Sequence, residues 1–251
     1  MSVAMTAERP FRGKIALVTG GARRVGKAIA YALAWRGADV ALHYSSSAAE
    51  AEVTAQELRE LDVRVELFSA NLVEPGAPEA LLQRVVDSMG ALDVLVNSAA
   101  MMLRTPMGQV THDDWERMFA LNVRAPFFLS QAAAPRLAER AGCIVNICDL
   151  AAYETWPAYV PHGITKAALV QATRALARTL APGVRVNGVA PGAVLLPDEW
   201  DDATARRLAD TTPLKRVGSA EDVAEAVAYL CGAEYVTGEV LIVDGGRHVR
   251  T

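Results

Sequence analysis

From Lys14 onward, short apolar runs bounded by glycine or polar residues alternate with longer segments whose apolar positions recur every three to four residues. The first pattern suits a strand buried on both faces and the second suits one face of a helix. Their alternation points to repeated βα units wound around a parallel sheet. Strands are predicted over 14–19, 39–44, 63–68, 93–96, 143–148, 184–190 and 239–243. Helices are predicted over 25–37, 48–60, 77–89, 112–138, 163–180 and 220–231. The first helix gathers Val25, Ile29, Ala32 and Leu33 on one side, and Gly37 ends it. The expected fold class is therefore α/β, a single Rossmann-like doubly wound domain with a seven-stranded parallel sheet. It spans 13–251 behind a flexible N-terminal tail at 1–12. The run from Ala190 to Pro213 is polar, holds Pro191, Gly192 and Pro197, and is too long for an ordinary connection, which marks a functional loop near 191–213.

Composition narrows the function. A chain of 251 residues that is 52% hydrophobic can bury a substantial core as one domain. A net charge of −4 without a basic cluster gives no footprint for nucleic acid or an anionic membrane, so the expected partner is a small-molecule substrate. Cys143, Cys148 and Cys231 are few, odd in number and set in apolar runs, as buried thiols of a reducing compartment are. No signal peptide or membrane span is read, and a cytoplasmic location is expected. No metal site is read from the sequence.

The segment TGGARRVG, Thr19–Gly26, follows the first predicted strand and opens the first helix. A Gly-rich turn there lets backbone N–H groups and the helix dipole meet a pyrophosphate, which assigns Gly20, Arg23, Arg24, Val25 and Gly26 to a dinucleotide. Proteins that prefer NAD commonly end the second strand on a carboxylate that binds the ribose hydroxyls. This strand ends on His43-Tyr44-Ser45-Ser46-Ser47. Nothing there repels a 2′-phosphate, and Ser46, Ser47 and Arg23 can bind one, with Tyr44 alongside. NADPH is the expected cofactor. Ser47 can also cap the following helix.

The stretch NICDLAAYETWPAYVPHGITK, residues 146–166, places Asp149 after an apolar strand, His162 thirteen residues later, and Lys166 one helical turn beyond His162. With TGGARRVG, the LNV around Asn122, Asn97-Ser98-Ala99-Ala100 and RVNGVAPG (185–192), this resembles the short-chain dehydrogenase/reductase family over essentially the whole domain. Asp149 stands where most of that family has a catalytic Ser, as in the pteridine reductases and dihydromonapterin reductase, which the chain resembles most in motif. The resemblance implies the following roles. Lys166 binds the nicotinamide ribose. Asn122 holds a water near the lysine. Asn71 and Leu72 flank adenine, Asn97 and Ala99 line the cofactor, and Pro191 and Gly192 meet the nicotinamide. It also implies a homotetramer built through the lysine helix and the last helix and strand.

Two positions depart from the pattern. Arg24 replaces a glycine, and His162 replaces the tyrosine that donates the proton. An imidazole serves in acid–base chemistry near neutral pH, but its tip stops roughly 2–3 Å short of a phenol oxygen, so delivery needs a water or Asp149 itself. The expected function is an NADPH-dependent reductase of a dihydropterin, with Asp149, His162, Lys166 and Asn122 as its catalytic set. The alternatives are a general carbonyl or 3-oxoacyl reductase, and a nucleotide- or pterin-binding homologue without turnover. Met102 stands where the pterin-stacking aromatic is expected, and Trp156 and Trp200 are candidates to replace that ring.

Overall fold

A computed structural model describes residues 9–194 and 201–249. Seven strands form one parallel sheet in the order β3-β2-β1-β4-β5-β6-β7. They are β1 (Ile15–Val18), β2 (Asp39–Tyr44), β3 (Val65–Ser69), β4 (Val94–Asn97), β5 (Cys143–Ile147), β6 (Arg185–Pro191) and β7 (Val240–Val243). Each falls inside or beside its predicted run, because a central strand must be apolar on both faces. Ala16, Val18, Val94, Val96 and Val145 face one hydrophobic layer with α1 (Arg24–Trp35), α2 (Ala48–Arg59) and α8 (Ala220–Gly232). Leu17, Leu95 and Ile144 point the other way, into a layer with α3 (Ala77–Met89) and α5 (Ala125–Ala138). Burying a Leu or Val on such a face is worth roughly 1.5–3 kcal/mol per side chain, which fixes the strand register.

The sheet order reverses between β1 and β4, so the crevice above their C-terminal ends is where a ligand binds in open sheets of this kind. Thr19, at the end of β1, secures the seam. Its buried hydroxyl accepts N–H bonds from Ser98 (2.9 Å) and Ala99 (3.0 Å) beyond β4. Nothing in the local sequence pattern marks this residue for that role.

Three expectations change. The helix expected over 112–138 is two helices, α4 (His112–Phe119) and α5, joined by one π-helical turn at Ala120–Arg124. The polar run before Pro213 contains α7 (Asp202–Thr211), N-capped by Asp201, whose carboxylate accepts from the Thr204 N–H at 2.8 Å. Of the tail expected over 1–12, residues 9–12 are packed: Phe11 is buried and its N–H donates to the Arg36 carbonyl at 2.9 Å. Residues 1–8 and 195–200, including Trp200, lie outside the described residues. The three cysteines are free and buried. Among the described residues no helix is long and apolar enough to cross a membrane.

Candidate active site

The end of β1 turns sharply into α1 through Thr19–Arg23. Gly20 has φ +65°, and a Cβ there would sit 3.0 Å from the Ala99 backbone. A Cβ on Gly26 would lie 2.1 Å from the Gly20 carbonyl oxygen, so only glycine closes this turn. Arg24 also has positive φ, +55°, the left-handed region that costs a residue with a Cβ about 1–2 kcal/mol. Glycine would avoid that cost, and the arginine leaves a guanidinium at the helix start. No acidic side chain occupies the first turn of α1 and no side chain caps it, so its leading N–H groups remain available to an anion.

This turn forms one wall of a groove of about 830 Å³. Of the residues the sequence assigns to the cofactor, Gly20, Arg23, Arg24, Val25, Gly26, Tyr44, Ser46, Ser47, Asn71, Leu72 and Ala99 line it. Ser47 occupies the N-cap position of α2 but makes no side-chain cap bond, so its hydroxyl stays free towards the groove and the anticipated capping role falls away. A cradle that a single Cβ would fill, an uncapped helix start and a basic rim together fit a phosphorylated dinucleotide.

His43, to which no sequence motif gives a role, holds the groove together. Its buried ring accepts the Gly20 N–H at Nδ1 (3.1 Å), and Nε2 donates to the Ala70 carbonyl (3.1 Å). One imidazole thereby ties the pyrophosphate turn to the segment that carries Asn71. Burial, with a smaller contribution from the Arg84 charge, lowers its pKa from 6.5 to about 4, so the ring is neutral at physiological pH.

Asn97, Lys166, Pro191 and Gly192 do not line this groove. Asn97 is buried, and its amide donates to Asn146 Oδ1 (2.8 Å) and Ser130 Oγ (3.2 Å), so its side chain joins β4, β5 and α5 rather than facing a cofactor. The absent Cβ of Gly192 would meet Asp244 at 2.6 Å, which gives that glycine a packing reason of its own. The β5–β6 register sets Ile147 opposite Val189 and so carries Pro191 to the level of Asp149.

The catalytic candidates converge where β5 ends. Asp149 starts a single 3-10 turn, Leu150–Ala152, and its Oδ1 accepts the Ala151 N–H at 2.8 Å. Its Oδ2 lies 3.5 Å from Nε2 of His162, on the first turns of α6 (Val160–Leu180). Along α6 the residues His162, Thr165, Lys166, Leu169, Val170 and Thr173 are buried, a helical period that turns imidazole and ammonium to the same side. The Lys166 Nζ donates to the Ile147 carbonyl at 2.8 Å. Burial pushes its pKa down, and the nearby Asp149 charge opposes the shift.

Asn122 lies in the π-helical turn, and its side chain is bonded to the segment after β4 and to α6. Its Oδ1 accepts the Met101 N–H and its Nδ2 donates to the Met101 carbonyl, both at 2.8 Å, while Nδ2 also donates to Thr165 Oγ1 at 3.0 Å. The same Met101 carbonyl faces His162 Nδ1 at 3.3 Å. Neither Met101 nor Thr165 stands out in the sequence, since neither carries a strongly reactive group. Met102 is 47% exposed and offers no aromatic face. Trp156 is tied through Nε1 to Glu154 Oε2 at 3.1 Å and meets Tyr159 edge-on.

Residues 20–248 match the family model described as enoyl-(acyl carrier protein) reductase. The 3-oxoacyl-[acyl-carrier-protein] reductase FabG of Staphylococcus aureus is 33% identical over 242 residues, covering 94% of this chain and 98% of that protein. Among solved structures, a blue fluorescent protein from a metagenomic library in complex with NADPH superposes with a TM-score of 0.88 at 36% identity, covering 95% of this chain and 99% of that one. The angucycline C-6 ketoreductase LanV with bound NADP gives a TM-score of 0.89 at 30% identity, with coverage of 96% and 98%.

Proposed function

The chain belongs to the short-chain dehydrogenase/reductase family, and on that premise we propose that it is an NADPH-dependent reductase of a small carbonyl substrate, most readily a 3-oxo compound. The observation that carries the reading is one continuous edge of the sheet. It runs from a phosphate cradle with a basic rim to a carboxyl, an imidazole and a buried ammonium at the end of β5. NADPH, when bound, supplies the hydride. Gly20, Arg24 and the start of α1 would hold its pyrophosphate, and Arg23, Ser46 and Ser47 its 2′-phosphate. Asp149 and His162 manage the proton, and Lys166 orients the ribose and adds positive charge where negative charge develops on the substrate oxygen.

The relatives are named for 3-oxoacyl and ketone reduction, and this moves the preferred substrate away from the dihydropterin expected from the motifs. The pterin reading keeps one support: Asp149 occupies the end of β5, facing the residue that replaces the tyrosine. Its weakness is Met102, exposed where a stacking ring is needed. Three free thiols buried in the core support a cytoplasmic location. The assembly we propose is a homotetramer.

Oxidation of NADPH followed against an acetoacetyl thioester, a simple ketone, dihydrobiopterin and dihydromonapterin tests the function. Turnover of the oxo substrates is expected. Turnover of the pterins alone would restore the pterin reading, and tighter binding of NADH than of NADPH would overturn the cofactor assignment.

A further inference from the structure

The imidazole of His162 is nearly sealed from solvent, at 2% exposure, and Nε2 is buried without a hydrogen-bond partner. Such an orphan is rare, because an unsatisfied buried polar atom costs about 1–3 kcal/mol. Asp149 Oδ2 lies 3.5 Å away, and the Asp149 side chain remains 23% exposed. The carboxyl is thus open to solvent where the ring is not.

The other ring nitrogen is spoken for. A carbonyl oxygen only accepts, so the contact with Met101 requires the proton on Nδ1. In the neutral ring this leaves the Nε2 lone pair directed at Asp149. The Met101 peptide cannot turn away, because Asn122 binds both its N–H and its carbonyl. Asn122 is in turn linked to α6 through Thr165, whose hydroxyl donates to the His162 carbonyl at 2.7 Å. Asp149 is steered by its own bond to the Ala151 N–H, which holds Oδ1 and leaves Oδ2 towards the ring.

We propose that Asp149 is the group that hands the proton to the substrate, and that His162 is a positioning residue behind it, aligned by the Met101 carbonyl in the grip of Asn122. The proposal rests on the reductase reading and divides its acid–base pair into unequal roles. His162 Nε2, 3.5 Å away, keeps its lone pair towards Oδ2, so the transferable proton belongs on the carboxyl. As hydride arrives at the carbonyl carbon, the electron pair of the C=O π bond moves to oxygen, which takes that proton from Oδ2. The products are the alcohol, oxidised nicotinamide and an Asp149 carboxylate, which recovers its proton from water on its exposed side.

Four variants and two added acids test this in the full-length protein. Asp149→Asn is expected to lower kcat by about 10²–10⁴-fold, the usual worth of a general acid, with NADPH binding by fluorescence unchanged. His162→Asn keeps a donor for the Met101 carbonyl and removes Nε2, so its loss should stay near tenfold, the equivalent of about 1.4 kcal/mol. Formate should restore turnover to Asp149→Ala in a concentration-dependent way, whereas imidazole should not restore His162→Ala. Without substrate, the nitrogen NMR signals of the His162 ring should report a proton fixed on Nδ1. A larger loss in His162→Asn than in Asp149→Asn, or rescue by imidazole only, would make the ring the donor and overturn the division while leaving the reductase reading intact. Absence of wild-type turnover on every oxo and pterin substrate, with NADPH bound, would overturn both.

Discussion

At the scale of single residues, two histidines illustrate what burial does to an imidazole. The His43 ring titrates at about 4 in the folded chain against an ordinary value of 6.5, lowered chiefly by burial. Because the folded value lies below the unfolded one, the unfolded chain binds the extra proton first as pH falls. Stability is therefore intact above pH 6.5, declines between 6.5 and 4, and reaches its full loss of about 3 kcal/mol below that window. His43→Asn keeps an acceptor for the Gly20 N–H and removes the titration. Denaturant melts at pH 7 and pH 5 should show a gap smaller by about 2 kcal/mol in the variant. An unchanged gap would mean that another group controls acid sensitivity. At position 162, His162→Tyr is expected to gain turnover by extending a phenol past the present ring tip. It should also make Asp149→Asn far less damaging than in the wild-type background, since the phenol would take over the proton. Equal losses in the two backgrounds, measured as kcat, would contradict that substitution of roles. The exchange at 162 and its short reach were legible in the sequence, but the hydrogen-bond partners were not. His43 and Asn97 and the Nδ1 side of His162 are bonded to groups 23 to 61 residues away in the chain, which no local pattern encodes.

Secondary-structure elements were far more readable, for a physical reason. Central strands such as Leu17 and its neighbours are apolar on both faces, and the amphipathic helices repeat with their own period, so position along the chain reports burial directly. The π-helical turn escaped notice because widening one turn barely disturbs the apolar sequence of the helix on either side. Helix α7 escaped because it is short and polar, with its start marked only by the Asp201 cap. The start of α8 is more explicit. Ser219 accepts from the Asp222 N–H, and the Asp222 carboxylate accepts from the Ser219 N–H at 2.8 Å and pairs with Arg216. Ser219→Ala should cost about 1 kcal/mol, read as a lower denaturation midpoint, with NADPH affinity unchanged because α8 does not line the groove. A matching loss of affinity would show that the packing of α8 on α1 transmits to the phosphate turn.

For the whole molecule, the expected homotetramer has specific surfaces to cover. Ile164 on α6 is 43% exposed, Tyr229 on α8 is 61% exposed and Leu241 on β7 is 37% exposed, so the elements invoked for assembly present apolar side chains to solvent in the isolated chain. Light scattering at micromolar concentration should give four chains, and Leu241→Asp should reduce the mass. A monomer would refute the assembly. Within the single domain, the scaffold depends on buried side chains, while the grip on His162 comes from the Met101 carbonyl, which every amino acid carries. A change of side chain at residue 101 consequently leaves the ring its partner. A tyrosine ring has no donor at the Nδ1 position, so an exchange of imidazole for phenol at 162 leaves the Met101 carbonyl held by the Asn122 amide alone, and the backbone on this side of the site stays in place through the change.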